Sequence, residues 1–146
     1  MSLITASHNP PLTAPLNTTV FEACELMLKR GLGAMAVLNS DGSLAGIFTE
    51  RDLLRKVVPR RLDCETTTLR DVMTSPCVVI HTNHTIHDAI SEMVANKVNH
   101  LILLDENEKF VSIVSYRTLL GHEIENLHME VDHLTAYIGS DGIGGD

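Results

Sequence analysis

The side chains with the widest chemical repertoire here are the imidazoles of His81, His84 and His87, which recur at three-residue spacing with Cys77 just upstream. Nitrogen and sulfur ligands of this kind suit zinc, but a structural site needs four groups converging on one point. His81 and His84 fall in the turn before a helix and His87 on its first turn. Convergence is therefore not expected, and no metal site is assigned. His128 and His133, five apart on the last helix, face different ways and read as surface residues. Serine, histidine and aspartate all occur, yet without a GxSxG elbow, an HExxH pair or a phosphate loop. No residue is given a catalytic role. What remains is ionic. Arg51, Arg55, Lys56, Arg60 and Arg61 sit within eleven residues, the one place where an anion would be welcome. At the head of this run, Thr49-x-x-Asp52 has the spacing of a helix capping box with Asp in place of Glu, and a cap requires no ligand.

A repeat positions these residues. Sliding the chain by 66 residues lays Asn17–Leu54 on Asn83–Leu120 without a gap. Thr19, Ala23, Met27, Leu38, Ile47, Arg51, Leu53 and Leu54 then meet Thr85, Ala89, Met93, Leu104, Ile113, Arg117, Leu119 and Leu120. Val20, Ala23, Cys24, Met27 and Leu28 have the spacing of an amphipathic helix, and Ile86, Ala89, Ile90, Met93 and Val94 repeat it. Thr19 with Glu22, and Thr85 with Asp88, cap the two helix starts. Each helix leads to a short apolar strand (Ala34–Leu38, His100–Leu104), a polar turn, a second strand (Leu44–Phe48, Phe110–Val114) and a closing helix. A further short strand precedes each unit, near Leu12–Thr13 and Val78–Ile80. The expected fold is α/β: two β-α-β-β-α repeats packed with pseudo-two-fold symmetry, plus a C-terminal helix. The boundaries are 10–58 for the first repeat, 59–71 for the connection and 72–122 for the second repeat. A helix follows over 123–138, then a disordered tail over 139–146.

With its elements in this order, the chain resembles a tandem cystathionine-β-synthase (CBS) domain pair, also called a Bateman module. The resembling stretches are GLGAMAVLNSDGSLAGIFTERDLLRKV in the first copy, and DVMTSPCVVIHTNHTIHDAISEMVANKVNHLILLD with SIVSYRTLL in the second. The resemblance implies that the strand-to-helix corner holds the phosphate and ribose of an adenosine-type ligand: AMP, ADP, ATP, S-adenosylmethionine or NAD. On that reading Thr49 and the free N–H groups of the helix start hold a phosphate. Asp52 accepts from both ribose hydroxyls, each charged hydrogen bond contributing ~1.5–3 kcal/mol. Arg51 reaches a phosphate, and Cys77 and Val78 wall the base. The second copy keeps Ser115 and Arg117, but Thr118 stands where the carboxylate should be and Ser112 replaces Gly46. A single hydroxyl cannot hold a diol from both sides, so Ser115, Arg117 and Thr118 make at best a weak second site.

The totals fit such a module. With 146 residues, 44% of them hydrophobic and 21% charged, the chain can bury one ordinary core. No Trp, two Tyr and three Phe leave little to stack single-stranded nucleic acid, and a net charge of -8 opposes a phosphate backbone. No segment has the apolar length to cross a bilayer, and no charged-then-apolar leader opens the sequence. Neither nucleic acid nor membrane is an expected partner. Three cysteines without CxxC spacing point to a reducing cytoplasm. Leu120, Ile124, Leu127, Val131, Leu134 and Ile138 follow the a/d alternation of a coiled-coil seam, which points to a homodimer, the alternative being that the stripe docks on the module's own surface. The expected function is a non-catalytic adenosine-nucleotide sensor acting on an unidentified effector protein. The alternatives are a ligand-free dimerisation scaffold and a metal-responsive module.

Overall fold

The computed structural model describes residues 2–140. Its elements run α1 (Leu3–Ala6), β1 (Thr13–Pro15), α2 (Val20–Arg30), β2 (Ala34–Leu38), β3 (Leu44–Thr49) and α3 (Glu50–Asp52), which passes into a π-helical turn over Leu53–Val57. The order then recurs as α4 (Leu69–Val72), β4 (Val79–His81), α5 (Ile86–Asn96), β5 (His100–Leu104), β6 (Phe110–Ser115) and α6 (Tyr116–Ser140). Both amphipathic helices start as their capping residues require: Thr19 accepts from the Glu22 N–H, and Thr85 and Asp88 form a reciprocal box. Both end on a left-handed residue, Gly31 at φ 64° and Lys97 at φ 55°. Glycine meets this need without a Cβ clash, whereas Lys97 meets it under strain.

Each repeat forms one three-stranded sheet, β1-β2-β3 or β4-β5-β6, with a parallel first pair and an antiparallel second pair. Alternate residues of a strand face opposite ways, so each sheet serves two cores. Met35, Val37 and Phe48 face α2, while Leu101, Leu103 and Val114 face α5. The other faces meet: Ala34, Ala36 and Ile47 of the first sheet pack on Ile102, Leu104 and Ile113 of the second. That buried sheet-to-sheet contact makes two short repeats one body.

The short helices are exchanged between repeats. Leu69 and Val72 of α4 lie fully buried in the core of the first repeat, and Leu3 and Ala6 of α1 in that of the second. Neither helix was expected from the sequence, yet both obey the 66-residue shift, which carries Leu3 onto Leu69 and Ala6 onto Val72. The 66-residue shift thus also relates α1 to α4, which begins within the stretch 59–71 and ends at Val72. The helix expected over 123–138 is continuous with Tyr116 and reaches Ser140. Residues 141–146 of the expected tail lie outside the described residues.

Candidate functional site

Strand β3 turns into α3 at Thr49, beside the segment that carries the chain from α4 into β4. The two run together because Ile47 and Thr74 exchange backbone hydrogen bonds, Ile47 N to Thr74 O at 3.0 Å and Thr74 N to Ile47 O at 2.8 Å. Gly46 makes the approach feasible: a Cβ there would lie 2.7 Å from Met73 Sδ and 2.8 Å from the Thr74 carbonyl. Thr74 is thereby held over Asp52. The Asp52 carboxylate is only 5% exposed and engaged on both oxygens. Oδ2 accepts from Thr49 N at 3.0 Å and Thr49 Oγ1 at 3.3 Å. Oδ1 accepts from Thr74 Oγ1 at 2.7 Å and pairs with Lys56 Nζ at 3.1 Å. The capping box expected at Thr49 and Asp52 is formed.

Cys77 lies close by, its Sγ 3.8 Å from the Thr74 carbonyl. Burial, with the negative charge of Asp52 adding to it, pushes the Cys77 thiol up to about 11. Val78 follows into the second sheet, where its carbonyl accepts from Ile102 N at 3.1 Å. Arg51 goes elsewhere. Its guanidinium donates to the Lys97 carbonyl at the end of α5, tying the first corner to the second repeat. The structure thus gathers Thr49, Asp52 and Cys77, adds Thr74 and Lys56 to them, and sends Arg51 away.

The second corner is built on the same plan with other chemistry. His8 stands where Thr74 stands, its N–H donating to the Ile113 carbonyl at 2.9 Å. Ser112, in the place of Gly46, donates through its hydroxyl to the His8 carbonyl at 2.6 Å instead of clashing with it. Ser115 Oγ is 2.9 Å from Thr118 Oγ1 and accepts from Thr118 N at 3.2 Å, a cap without a carboxylate. His8 is buried, and its Nδ1 has no hydrogen-bond partner among the described residues. The His100 ring meets it edge-on, with centroids 6.4 Å apart. Burial, then the neighbouring His8 and Arg51, lowers His100 to about 4. His8 is also lowered, by burial and then by Arg30.

A cleft of about 990 Å³ opens between the repeats at this second corner. His8, Glu50, Asn99, His100, Ser115, Arg117 and Thr118 form much of its polar side; Met27, Leu28, Leu32, Phe48, Leu120 and Ile124 form much of its apolar side. Thr49, Asp52, Cys77 and Val78 do not line it. The sequence places the better site at the first corner, whereas the open volume adjoins the second. The two corners also differ in one long side chain. Arg51 reaches across to Lys97, but among the described residues no hydrogen bond joins Arg117 to the equivalent Gly31.

Sequence reasoning missed Thr74, Lys56, His8 and His100. Extending the 66-residue shift upstream would have found two of them, because Pro10 falls on Pro76 and His8 on Thr74. The imidazoles of the metal reading go to separate partners. His81, which closes β4 instead of lying in the turn, has Nε2 2.7 Å from Glu108 Oε1. His84 Nδ1 accepts from His81 N at 3.4 Å, and His87 Nε2 is 3.7 Å from Glu123 Oε2. Among the described residues no three His, Cys, Asp or Glu side chains are grouped to share a metal. Nor, among them, is any helix long and apolar enough to cross a membrane.

Known proteins share this architecture. The CBS domain model matches the chain twice, over residues 4–59 and 69–125. The CBS domain-containing protein CBSCBSPB5 of Arabidopsis thaliana is 32% identical over 121 residues, 83% of this chain and 22% of that protein. The chain therefore spans less than a quarter of that relative's length. A solved CBS-domain protein from Burkholderia ambifaria superposes with a TM-score of 0.78 at 27% identity, covering 86% of this chain and 95% of that one. The CBS domain protein PAE2072 from Pyrobaculum aerophilum, solved in complex with AMP, shares the fold with a TM-score of 0.73 at 22% identity, covering 81% and 89% of the two chains.

Proposed function

The chain belongs to the CBS-domain family, and from that premise we propose that it is a non-catalytic regulatory module that takes an adenosine-type nucleotide between its repeats. The observation that carries the reading is the cleft of about 990 Å³, which runs between the repeats and ends on a strand-to-helix corner. Its size suits a small molecule, and its lining is apolar with a few convergent polar groups. The Arg117 guanidinium, the Ser115 hydroxyl and the N-terminus of α6 supply what a phosphate needs. That a structural relative holds AMP supports the ligand class.

The first corner supplies the chemistry the second lacks. On this reading Asp52 is the acceptor for a ribose diol, Cys77 and Val78 wall the base, and Thr49 faces the phosphate, which Arg51 would reach only by leaving the Lys97 carbonyl. To accept the diol, Asp52 must release the Thr74 hydroxyl that now occupies Oδ1. Thr74 lies on the segment leading into the second repeat, so its release is the signal passed between repeats and on to an effector protein. The three cysteines are free and partly buried, and the thiols of Cys24 and Cys77 are pushed up by burial. Such thiols suit a reducing cytoplasm.

One observation favours a second reading, a scaffold that has kept the fold without the ligand: Asp52 is fully satisfied by the protein itself. Thermal unfolding in the presence of AMP, ADP, ATP, S-adenosylmethionine or NAD separates the two. A nucleotide at 100 times its dissociation constant stabilises the fold by about 2.7 kcal/mol, and Asp52→Asn removes most of that shift. If none of the five moves the midpoint, the scaffold reading stands.

A further inference from the structure

Helix α6 runs past the body of the protein. From Ile124 onward every side chain whose exposure is described is exposed, including Leu127 at 56%, Val131 at 61% and Leu134 at 62%. A helix standing alone in water for roughly 25 Å is marginal. Its apolar residues are also sorted by type. Ile124, Val131 and Ile138 recur every seven residues, and Leu120, Leu127 and Leu134 recur every seven between them. With the first set at a and the second at d, the seam carries β-branched residues at a and leucine at d. That combination favours two parallel strands over higher assemblies.

Charge selects the same arrangement. Glu123 and Glu130 take the g positions and His128 an e position. In a parallel pair Glu123 lies beside the partner's His128. In an antiparallel pair it lies against the partner's Glu130, like charge on like. Within its own chain Glu123 also faces His87 of α5 at 3.7 Å. We infer that α6 forms a parallel two-stranded coiled coil with α6 of a second copy, along a seam from Leu120 to Ile138. Leu120 and Ile124 also line the cleft, so the part of the seam that is independent of the nucleotide reading is the exposed stretch from Leu127 to Ile138.

Sedimentation equilibrium on the full chain tests the pairing. The parent is expected to be a dimer, and the double change Leu127→Glu with Leu134→Glu to weaken dimerisation at least 100-fold. Both residues are solvent-exposed in the single chain, so cooperative thermal unfolding of the variant shows that the body still folds. Orientation is read from Leu134→Cys in a glutathione redox buffer. A parallel seam brings position 134 of both chains within disulfide reach, and peptide mapping should find that link. A monomeric parent, a double variant that stays dimeric, or a dimer that never links through position 134 overturns the inference.

Discussion

A carboxylate as buried as Asp52 needs partners, and here two hydroxyls, a backbone N–H and an ammonium share the task. The hydroxyl of Thr74 is the partner a ribose diol would displace. Thr74→Val removes one of the two donors on Oδ1; Lys56 loses its own contact with the Thr74 hydroxyl but keeps the Asp52 carboxylate and the Met73 carbonyl as partners. The net worth of one hydrogen bond to a charged group, ~1.5 kcal/mol or more, then no longer opposes the ligand. Nucleotide affinity at the first corner should rise about tenfold, as titration calorimetry on Thr74→Val and the parent would show. Unchanged affinity would mean that Asp52 does not meet the diol. His100 makes a separate prediction. Its folded value of about 4 lies below the 6.5 of the unfolded chain, so the unfolded chain binds more protons between those values. The stability this neutral imidazole contributes is complete above pH 6.5 and is lost as the pH falls toward 4. At pH 5 the loss should be on the order of 2 kcal/mol, measured by urea unfolding. His100→Asn should flatten that part of the profile, while the carboxylate-dependent loss at lower pH remains.

Among the elements, the exchanged one-turn helices matter more than their length suggests. Leu3 is fully buried in the second repeat's core although it lies near the start of the chain, whereas Leu28 on α2 is 83% exposed. Leu3→Ala should therefore cost about 2–5 kcal/mol, because it opens a cavity in a packed core. Leu28→Ala should stay within about 0.5 kcal/mol, as surface changes do. Chemical denaturation of the two variants makes the comparison, and equal costs would show that α1 does not hold the second repeat together. The longer elements were legible in the sequence because α2 and α5 are long enough to show a period, and their caps mark where they start. Four residues show no period, so α1 and α4 could be seen only through the repeat. The stretch Glu50–Val57 reads as one helix, but its second half is π-helical, with Val58 N reaching back to Leu53 O at 3.1 Å. Spacing alone does not distinguish these two backbone forms. The stripe on α6 was visible as an alternation, while the exposure of Leu127, Val131 and Leu134 among the described residues needed the three-dimensional structure.

Across the whole molecule, one plan yields two unlike corners, and the sequence shows only part of the difference. That Thr118 replaces the carboxylate follows from the 66-residue alignment. That the open cleft adjoins the second corner does not, because it depends on which long side chain spans the gap between repeats. Arg51 donates to the Lys97 carbonyl at the left-handed end of α5, while Arg117 lines the open cleft. On the proposed reading the first corner keeps the carboxylate, while the second adjoins the open cleft with Thr118 in the carboxylate's place. Binding should accordingly show one nucleotide per chain, or two of very unequal affinity. Two substitutions assign the events. Asp52→Asn removes the diol acceptor of the first corner alone, and Arg117→Ala the phosphate partner of the second alone. A charged hydrogen bond contributes ~1.5–3 kcal/mol, so each change should weaken its own event about 10- to 150-fold and spare the other. Titration calorimetry on the parent and both variants reads this directly. If the parent binds two nucleotides equally, some acceptor other than Thr118 must complete the second corner, and the pseudo-symmetry of the fold would extend to its chemistry.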